Sequence, residues 1–499
     1  GYDHRFGHNR SESFEDYCRY GEELNIYIVR ARAYTDKEGK ISSSVIRQLL
    51  KEGEVSIYVC GPTVYNYVHI GNTRPMIVFD VLRRTFEYQG NKVTFVSNFT
   101  DVDDKIIKAA KQEGISEKEL TDKYIKAYED VRRDLNLEFP TYAPRVTETM
   151  DQIIAFIEKL VEKGYAYEVE GDVYFRVSKV KEYGELSGIK IEDLVAGASE
   201  RVEDKGVKEE STDFALWKKT DEGIQFDSPW SKGRPGWHIE CSVMSNRYLG
   251  ETIDIHAGGQ DLKFPHHENE IAQSEAANGK EFSRYWMHNG FLNIDNRKMS
   301  KSLGNFFTVR EISEKYDLQV LRFFMLSAHY RSPLNFSAEL MEAAKSGLER
   351  IITAADRLKF LMGSAKTEDM AETEAEKFAK SAEYVGNFES AMDDDFNTAD
   401  AIAAVFDLVK FINTMTDEDS SKEYLENLFD RLVRLTEVLG IIVDKEDEIL
   451  DSDIEALIAE RQAARKEKNF ARADEIRDEL LAKGIVLKDT REGVQWKRA

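Results

Sequence analysis

The feature that most restricts how this chain can fold is a strand–helix–strand unit between residues 56 and 96. Ser56-Ile57-Tyr58-Val59-Cys60 is a short apolar run closed by the Gly61-Pro62 turn, the pattern of a buried strand. A helix then starts near Gly71 and carries Ile77, Val78, Val81 and Leu82 at helical spacing. Lys92-Val93-Thr94-Phe95-Val96 supplies the next strand. This β-α-β unit is the building block of a nucleotide-binding sheet and points to an α/β fold.

The chain has 499 residues, and at about 100–200 residues per domain that predicts three to five domains. It is 41% hydrophobic and 32% charged, enough to bury a sizeable core. No run of about 18 apolar residues suggests a membrane span. Residues 1–23 are polar throughout and lack the apolar centre of a secretory signal, so the expected compartment is the cytoplasm. We treat 1–23 as a leader. Cys18, Cys60 and Cys241 are too few, and odd in number, for a disulfide framework.

All eight prolines fall between Pro62 and Pro333. The proline-free last third is rich in Ala, Glu, Leu and Lys and is expected to be helical. Residues 146–230, with a strand at Gly171-Asp172-Val173-Tyr174-Phe175, read as an insertion, because nucleotide-type motifs resume at Gly236. From Ser337 to about Val443 the pattern is amphipathic helix, with acidic breaks at 367–376 and 417–423 and an acidic linker at 445–453. The net charge of −24 argues against a general affinity for nucleic acid, whose phosphates require Lys and Arg. Residues 461–499 reverse that sign, with eleven Lys/Arg against seven Asp/Glu. There Arg461, Arg465, Lys466, Lys468 and Arg472 are candidate phosphate contacts, or a solvated face of alternating charge.

Four motifs carry chemistry. In the first, His69-Ile70-Gly71-Asn72 opens the helix after the first strand. A helix start offers N–H groups and partial positive charge to phosphates. Gly71 allows close approach of a nucleotide, and His69 is placed to donate to a phosphate. An ordinary capped strand–helix turn reads the same way. In the second, Lys298-Met299-Ser300-Lys301-Ser302 has two lysines and small residues, as a loop closing over a polyphosphate needs. Alone, it also reads as a solvated loop. Thr308 and Glu311 then form a capping box that starts the next helix.

The third set is dispersed. Cys60 ends the first strand, Cys241 closes Gly236-Trp237-His238-Ile239-Glu240-Cys241, and His266, His267 and Glu270 follow Pro265. If Pro265 starts a helix, His266 and Glu270 share a face at i,i+4, with His267 about a quarter turn away. Two thiolates, an imidazole and a carboxylate suit tetrahedral zinc; buried, unligated cysteines fit the spacing as well. The fourth is His256-Ala257-Gly258-Gly259-Gln260-Asp261. Here two glycines and an acid after a strand suit an adenosine, as they suit a tight turn.

Taken in this order, the early His-Ile-Gly-Asn and the late Lys-Met-Ser-Lys-Ser resemble a class I aminoacyl-tRNA synthetase. Within that class the chain is similar to the cysteinyl-tRNA synthetases. The resemblance rests on Cys60-Gly-Pro-Thr-Val-Tyr, Asn98-Phe-Thr-Asp-Val-Asp-Asp104, Gly236-Trp-His-Ile-Glu-Cys241, Gly258-Gly-Gln-Asp-Leu-Lys-Phe-Pro-His-His-Glu-Asn-Glu270 and Ala391-Met-Asp-Asp-Asp-Phe-Asn-Thr398. It runs from about Val55 to the end, including Trp496.

The resemblance implies a Rossmann-like parallel-sheet catalytic domain in two parts, 24–145 and 231–336, around a connective insertion at 146–230. A helical bundle (337–444) and a small basic C-terminal domain (454–499) would follow and bind tRNA. It implies zinc on Cys60, Cys241, His266 and Glu270. It implies catalysis by His69, Asn72, Lys298 and Lys301, and ATP binding by Gly71, Gly258, Gly259, Asp261 and Lys301. Thr100, Trp237 and His256 would surround the bound cysteine, and Mg2+ would accompany ATP. Partners would be L-cysteine, ATP and the tRNA for cysteine, with the chain a monomer. Asn72 departs from the second histidine of many class members, though its amide still donates. Two rivals share these motifs. One is a ligase joining cysteine to an amino sugar, which has little use for the C-terminal third. The other is a non-catalytic tRNA-binding paralogue, expected to lack a ligand or a motif lysine.

Overall fold

The computed structural model describes residues 53–190, 207–294, 297–298, 307–444, 451–466, 469–482, 485–490 and 493–498. Residues 1–23, expected to be a leader and containing Cys18, and Lys301 with its neighbours at 299–306, lie outside the described residues.

The expected unit is present as β1 (Glu54–Val59), α1 (Ile70–Tyr88) and β2 (Lys92–Ser97). The two strands pair in parallel from Glu54 opposite Lys92 to Val59 opposite Ser97. Val55, Ile57, Val59, Val93 and Phe95 of the strands and Ile77, Phe79, Val81, Leu82 and Phe86 of α1 are buried, α1 packs against β2, and Val96 faces a second core. Next come α2 (Asp104–Glu113), capped by the Asp103 side chain, and α3 (Glu117–Asp134), started by a Ser116–Glu119 capping box. After α4 (Met150–Glu162) the chain builds a second sheet, antiparallel throughout: β3 (Ala166–Val169), β4 (Asp172–Phe175), β5 (Phe214–Lys219) and β6 (Gly233–Pro235). Val173, Phe175, Leu216 and Trp217 of this sheet share a core with Ile153, Ile157 and Leu160 of α4.

The chain then returns through α5 (Trp237–Leu249), β7 (Ile253–Gly259), α6 (Glu268–Asn278) and β8 (Ser283–Asn289). β7 adds to the free side of β1, with Ile57 opposite Ile255, giving the parallel order β2-β1-β7-β8. Strand order therefore reverses between β1 and β7. In such a sheet the crevice outside the carboxyl ends of those two strands is where ligands bind.

A small sheet follows, with β9 (Leu292–Ile294) between β10 (Arg297–Lys298) and β11 (Leu334–Phe336). The intervening chain forms α7 (Val309–Ser313), begun by the Thr308–Glu311 capping box, and α8 (Leu318–Leu326). Five helices come next: α9 (Ala338–Ser364), α10 (Glu372–Lys380), α11 (Ala382–Asp393), α12 (Thr398–Met415) and α13 (Lys422–Val438). Leu348, Ile351 and Leu358 of α9 pack with Val405 and Leu408 of α12 and Leu428, Leu432 and Leu435 of α13. Arg322 of α8 ties this bundle to the parallel sheet. Fully buried, it donates to Asp80 of α1 at 2.5 Å, to the carbonyls of Leu135 and Asn136 at 3.0 Å, and to that of Leu439 at 2.7 Å.

Residues 443–499 form a separate compact unit. It holds α14 (Asp451–Lys466), α15 (Phe470–Ala482) and the antiparallel hairpin β12 (Ile485–Thr490) and β13 (Gly493–Arg498), around Ile458, Ile476, Leu480 and Ile485. The hairpin corrects the expectation that the last third is helical. Ile485, Val486, Val494 and Trp496 are β-branched or aromatic, and they lie on strands that pair from Ile485 opposite Arg498 to Thr490 opposite Gly493. Two of the candidate phosphate contacts in this unit have partners or cover of their own. Arg461 is buried, and Arg472 is held by Glu460 at 3.0 Å and Glu475 at 2.8 Å. No helix among the described residues is long and apolar enough to cross a membrane.

Candidate active site

Cys60 is the first residue beyond β1, and its N–H is tied to the carbonyl of Ala257 on β7 at 3.2 Å. Gly61 follows because the end of β2 comes so close that a Cβ there would lie 1.5 Å from the Asn98 carbonyl oxygen. Asn98 joins the two strand ends. Its Oδ1 accepts from Gly61 N at 2.9 Å and from Tyr58 Oη at 3.1 Å, and the Cys241 thiol points at it from 3.8 Å. Cys241 is brought in by the second turn of α5. His266 comes from the turn leading into α6 and Glu270 from its first turn, where extended Phe264 gives way to helical backbone from Pro265.

Ligand atoms of Cys60, Cys241, His266 and Glu270 all lie within 4.8 Å of one another. Donors about 2.0–2.3 Å from a tetrahedral zinc stand roughly 3.3–3.8 Å apart, so this set fits one after small adjustments. The electrostatics suit a bound cation. Burial, then Cys241 and Glu270, pushes the Cys60 thiol well above its ordinary pKa. The Cys60 hydrogen bond pulls Cys241 down, yet burial with Glu270 and Glu240 leaves it raised. Burial drives His266 down to about 3, although Glu270 pulls it back in part. Ionised thiols are unstable in this enclosure until a cation joins them.

A layer of rings orients the donors. His266 Nε2 faces Glu270 Oε1 at 3.0 Å, and its Nδ1 meets His238 Nδ1 at 2.9 Å. Trp237, 42% exposed, stacks on His266 with ring centroids 4.2 Å apart and so forms the rim. His256 lies underneath, stacked on Trp286 at 4.6 Å, with Nε2 2.8 Å from Glu270 Oε2. Thr100 Oγ1 donates to buried Glu240 Oε2 at 2.9 Å. Burial holds that carboxyl well above its ordinary range, and the Thr100 bond only partly offsets it.

The reading that turned His267 away is corrected. Its Nε2 is 3.4 Å from Cys60 Sγ, and its Nδ1 is 2.8 Å from His288 Nε2. Cys60, His256, His267 and Glu270 make a second group with donors within 4.8 Å. The cluster lies beneath the helix start, where 266, 267 and 270 all border it. Gly258 makes room, since a Cβ there would stand 3.1 Å from the His267 ring. His238, His288, Glu240 and Asn98 were missed from sequence, although all but His288 sit inside the quoted motifs.

The nucleotide-type residues sit along the same strand ends. His69 precedes α1 and bridges Thr308; Ile70 N donates to Phe307 O at 3.0 Å and Val309 N to Val68 O at 2.9 Å. Gly71 and Asn72 fall in the first turn of α1. These bonds stitch the His69 turn to the chain that leaves the lysine segment. Lys298 pairs with Asn293 in the β9–β10 ribbon. Gly258 and Gly259 are the last residues of β7 rather than a turn after it, and Asp261 follows, exposed, in a short helical turn.

Comparisons with known proteins agree with this geometry. Residues 45–346 match the model for the tRNA synthetases class I (C) catalytic domain, 387–443 a DALR domain, and 447–496 the cysteinyl-tRNA ligase anticodon binding domain. A methionyl-tRNA synthetase of Mycobacterium tuberculosis bound by methionyl-adenylate superposes with a TM-score of 0.57 at 16% identity, over 80% of this chain and 94% of its own. A LeuRS from Agrobacterium radiobacter in a ternary complex gives 0.57 at 12%, over 79% and 85%. The sheet, its crevice and these matches define a catalytic domain of the class I tRNA synthetases. A cysteine–tRNA ligase of Lachnospira eligens is 61% identical over 456 residues, 90% of this chain and 97% of the relative. One from Clostridioides difficile is 57% identical over 450 residues, 90% and 96%. The chain belongs to the cysteine–tRNA ligase family.

Proposed function

We propose that the chain attaches L-cysteine to its tRNA in an ATP-dependent reaction through a cysteinyl-adenylate, choosing cysteine by its thiol at a zinc site. The observation that carries this reading is the meeting of Cys60, Cys241, His266 and Glu270 at the ligand-binding edge of the sheet. When bound, zinc supplies a thiophilic Lewis acid that a substrate thiolate can join and a serine hydroxyl joins poorly. This difference stands in place of an editing step, which pockets for apolar near-isosteres require.

The protein's own groups do the rest. His238 and His256 orient His266 and Glu270, while Trp237 and Thr100 line the approach for the amino acid. Its carboxylate attacks the α-phosphorus of ATP, the bond to the β-phosphate oxygen breaks, and pyrophosphate leaves. His69, Asn72 and the N–H groups of the α1 turn receive developing phosphate charge, helped by Lys298 and Lys301. Gly258, Gly259 and Asp261 hold the adenosine, and Mg2+ accompanies the phosphates. A terminal tRNA hydroxyl then attacks the cysteinyl carbonyl and AMP departs. The bundle (337–444) and the C-terminal unit (454–499) take the tRNA, with the chain acting as a monomer in the cytoplasm. The matches over 387–443 and 447–496 favour tRNA over an amino sugar as acceptor.

The test is transfer of labelled cysteine to total tRNA with ATP, Mg2+ and zinc-loaded protein, with serine as control. Charging with cysteine alone is expected. Cysteine consumed with ATP but not placed on tRNA would move the reading to the sugar ligase.

A further inference from the structure

The stretch Ala391-Met-Asp-Asp-Asp-Phe-Asn-Thr398 has no part in the chemistry above. It forms the turn from α11 to α12, and two successive residues, Asp395 and Phe396, hold left-handed backbone angles (φ +56 and +53). That conformation is unfavourable for residues with a Cβ and persists where surrounding contacts demand it. Here both side chains are buried in a junction. Asp395 accepts from Tyr330 Oη at 2.8 Å and from Arg331 Nε and Nη2 at 2.5 and 3.1 Å, with His329 Nε2 at 3.6 Å. Phe396 meets Phe86 of α1 edge-on, ring centroids 5.7 Å apart. Thr398 Oγ1 closes the turn on the Leu326 carbonyl at 2.8 Å.

The segment that Asp395 grips is held from its other side by Arg74. This fully buried residue of α1 lies two positions after Asn72. Its Nη1 donates to the carbonyls of Gly290 and Phe291, both at 2.9 Å, and its Nη2 to those of His329 at 3.2 Å and Ser332 at 2.5 Å. Among the described residues no carboxylate pairs with Arg74. A buried guanidinium held only by carbonyls fixes geometry more than it adds stability. Gly290 and Phe291 lead into β9, the partner of the strand that carries Lys298. One continuous path therefore runs from Asp395 through 329–332 to Arg74, and from there to the His69–Asn72 turn and the base of the lysine ribbon.

We propose that Asp395 is a positioning residue for the nucleotide step, by which the docked helical bundle holds His69, Asn72 and Lys298 in register. This rests on the reading that those residues handle ATP. Asp395→Asn keeps the side-chain size and the tolerance for left-handed backbone while removing the charge opposite Arg331. In the full-length, zinc-loaded chain, cysteine-dependent ATP–pyrophosphate exchange should show KM for ATP raised roughly tenfold. KM for cysteine should move by less than about twofold, because β1, β7, α5 and α6 carry that pocket and none of them supplies a link of the path. A merely structural anchor would lower the urea midpoint and the active fraction while leaving both KM values alone; that result, or no change, overturns the proposal. Arg331→Lys keeps the charge but loses the two-pronged geometry, so it should shift the same constant and stands in if Asp395→Asn does not fold.

Calorimetric titration with a non-hydrolysable ATP analogue separates this inference from the function. Wild-type protein that binds the analogue but activates no cysteine overturns the function alone, and roughly tenfold weaker binding by Asp395→Asn still supports the positioning role. Active wild-type protein with unchanged analogue affinity in the variant overturns the positioning role alone. A chain that binds no analogue overturns both.

Discussion

His256 Nε2 stands 2.8 Å from one oxygen of Glu270, and the other oxygen faces His266 Nε2 at 3.0 Å and Cys60 Sγ at 3.5 Å. The buried imidazole therefore decides which carboxylate oxygen is offered to a metal. His256→Ala frees that oxygen and lets the carboxylate rotate. Zinc affinity should fall about 10–100-fold, the usual effect of losing an outer-shell partner. Competition with a chromogenic chelator reads the change.

Cys241→Ser changes one atom and little volume. The loss in cysteine activation should exceed the roughly 100-fold that outer-shell partners account for. Pyrophosphate exchange, with zinc content measured on the same sample, checks it. A serine variant with full activity and no zinc would remove the metal from the mechanism.

Metal uptake should release protons. Cys60 and Cys241 both titrate above the ordinary thiol value of 9.0 in the metal-free fold, so both are protonated at pH 7. His266, at about 3, is already neutral and gives up none. Binding should therefore free about two protons, and affinity should rise by about two powers of ten per pH unit. The sign follows because the metal-bound state holds fewer protons than the free state at every pH below the thiol pKa values. Indicator dye in weakly buffered protein counts them; release of none would contradict this charge state.

Asp80 is 4% exposed beside Arg322 at 0%. Burial alone would raise its pKa, but Arg322 and Arg84 bring it below the usual carboxylate value. Asp80→Asn strands the guanidinium, and breaking such a buried pair costs about 3–5 kcal/mol. Urea unfolding should register this with the slope of the transition unchanged.

Much of the parallel sheet and four members of the cluster were legible in the sequence, but for different reasons. β1 and β2 announce themselves as Ser56-Ile57-Tyr58-Val59 and Val93-Thr94-Phe95-Val96, because a strand buried on both faces must be apolar without alternation. The spacing of Cys60, Cys241 and His266 carries no such signal, since nothing local says that strand pairing will bring them together. Those residues came from resemblance to a family. His267 was misjudged because helical periodicity describes directions around an axis, and here the cluster lies under the end of the helix. The hairpin at 485–498 was lost to composition: a window rich in Ala, Glu and Lys outweighed two short β-branched runs. His288, on β8, has an interior role that only the neighbouring His267 reveals.

The four candidate donors come from the end of β1, from α5 and from the approach to α6 and its first turn, with 180 residues between Cys60 and Cys241 in the chain. Of these, only His266 and Glu270 are close enough in sequence to chelate without the fold. An unfolded chain thus offers an ion little, and nearly all of its binding energy accrues to the native state. Melting temperature should then climb with the logarithm of free zinc, making the protein's thermal resistance a gauge of the zinc supply around it.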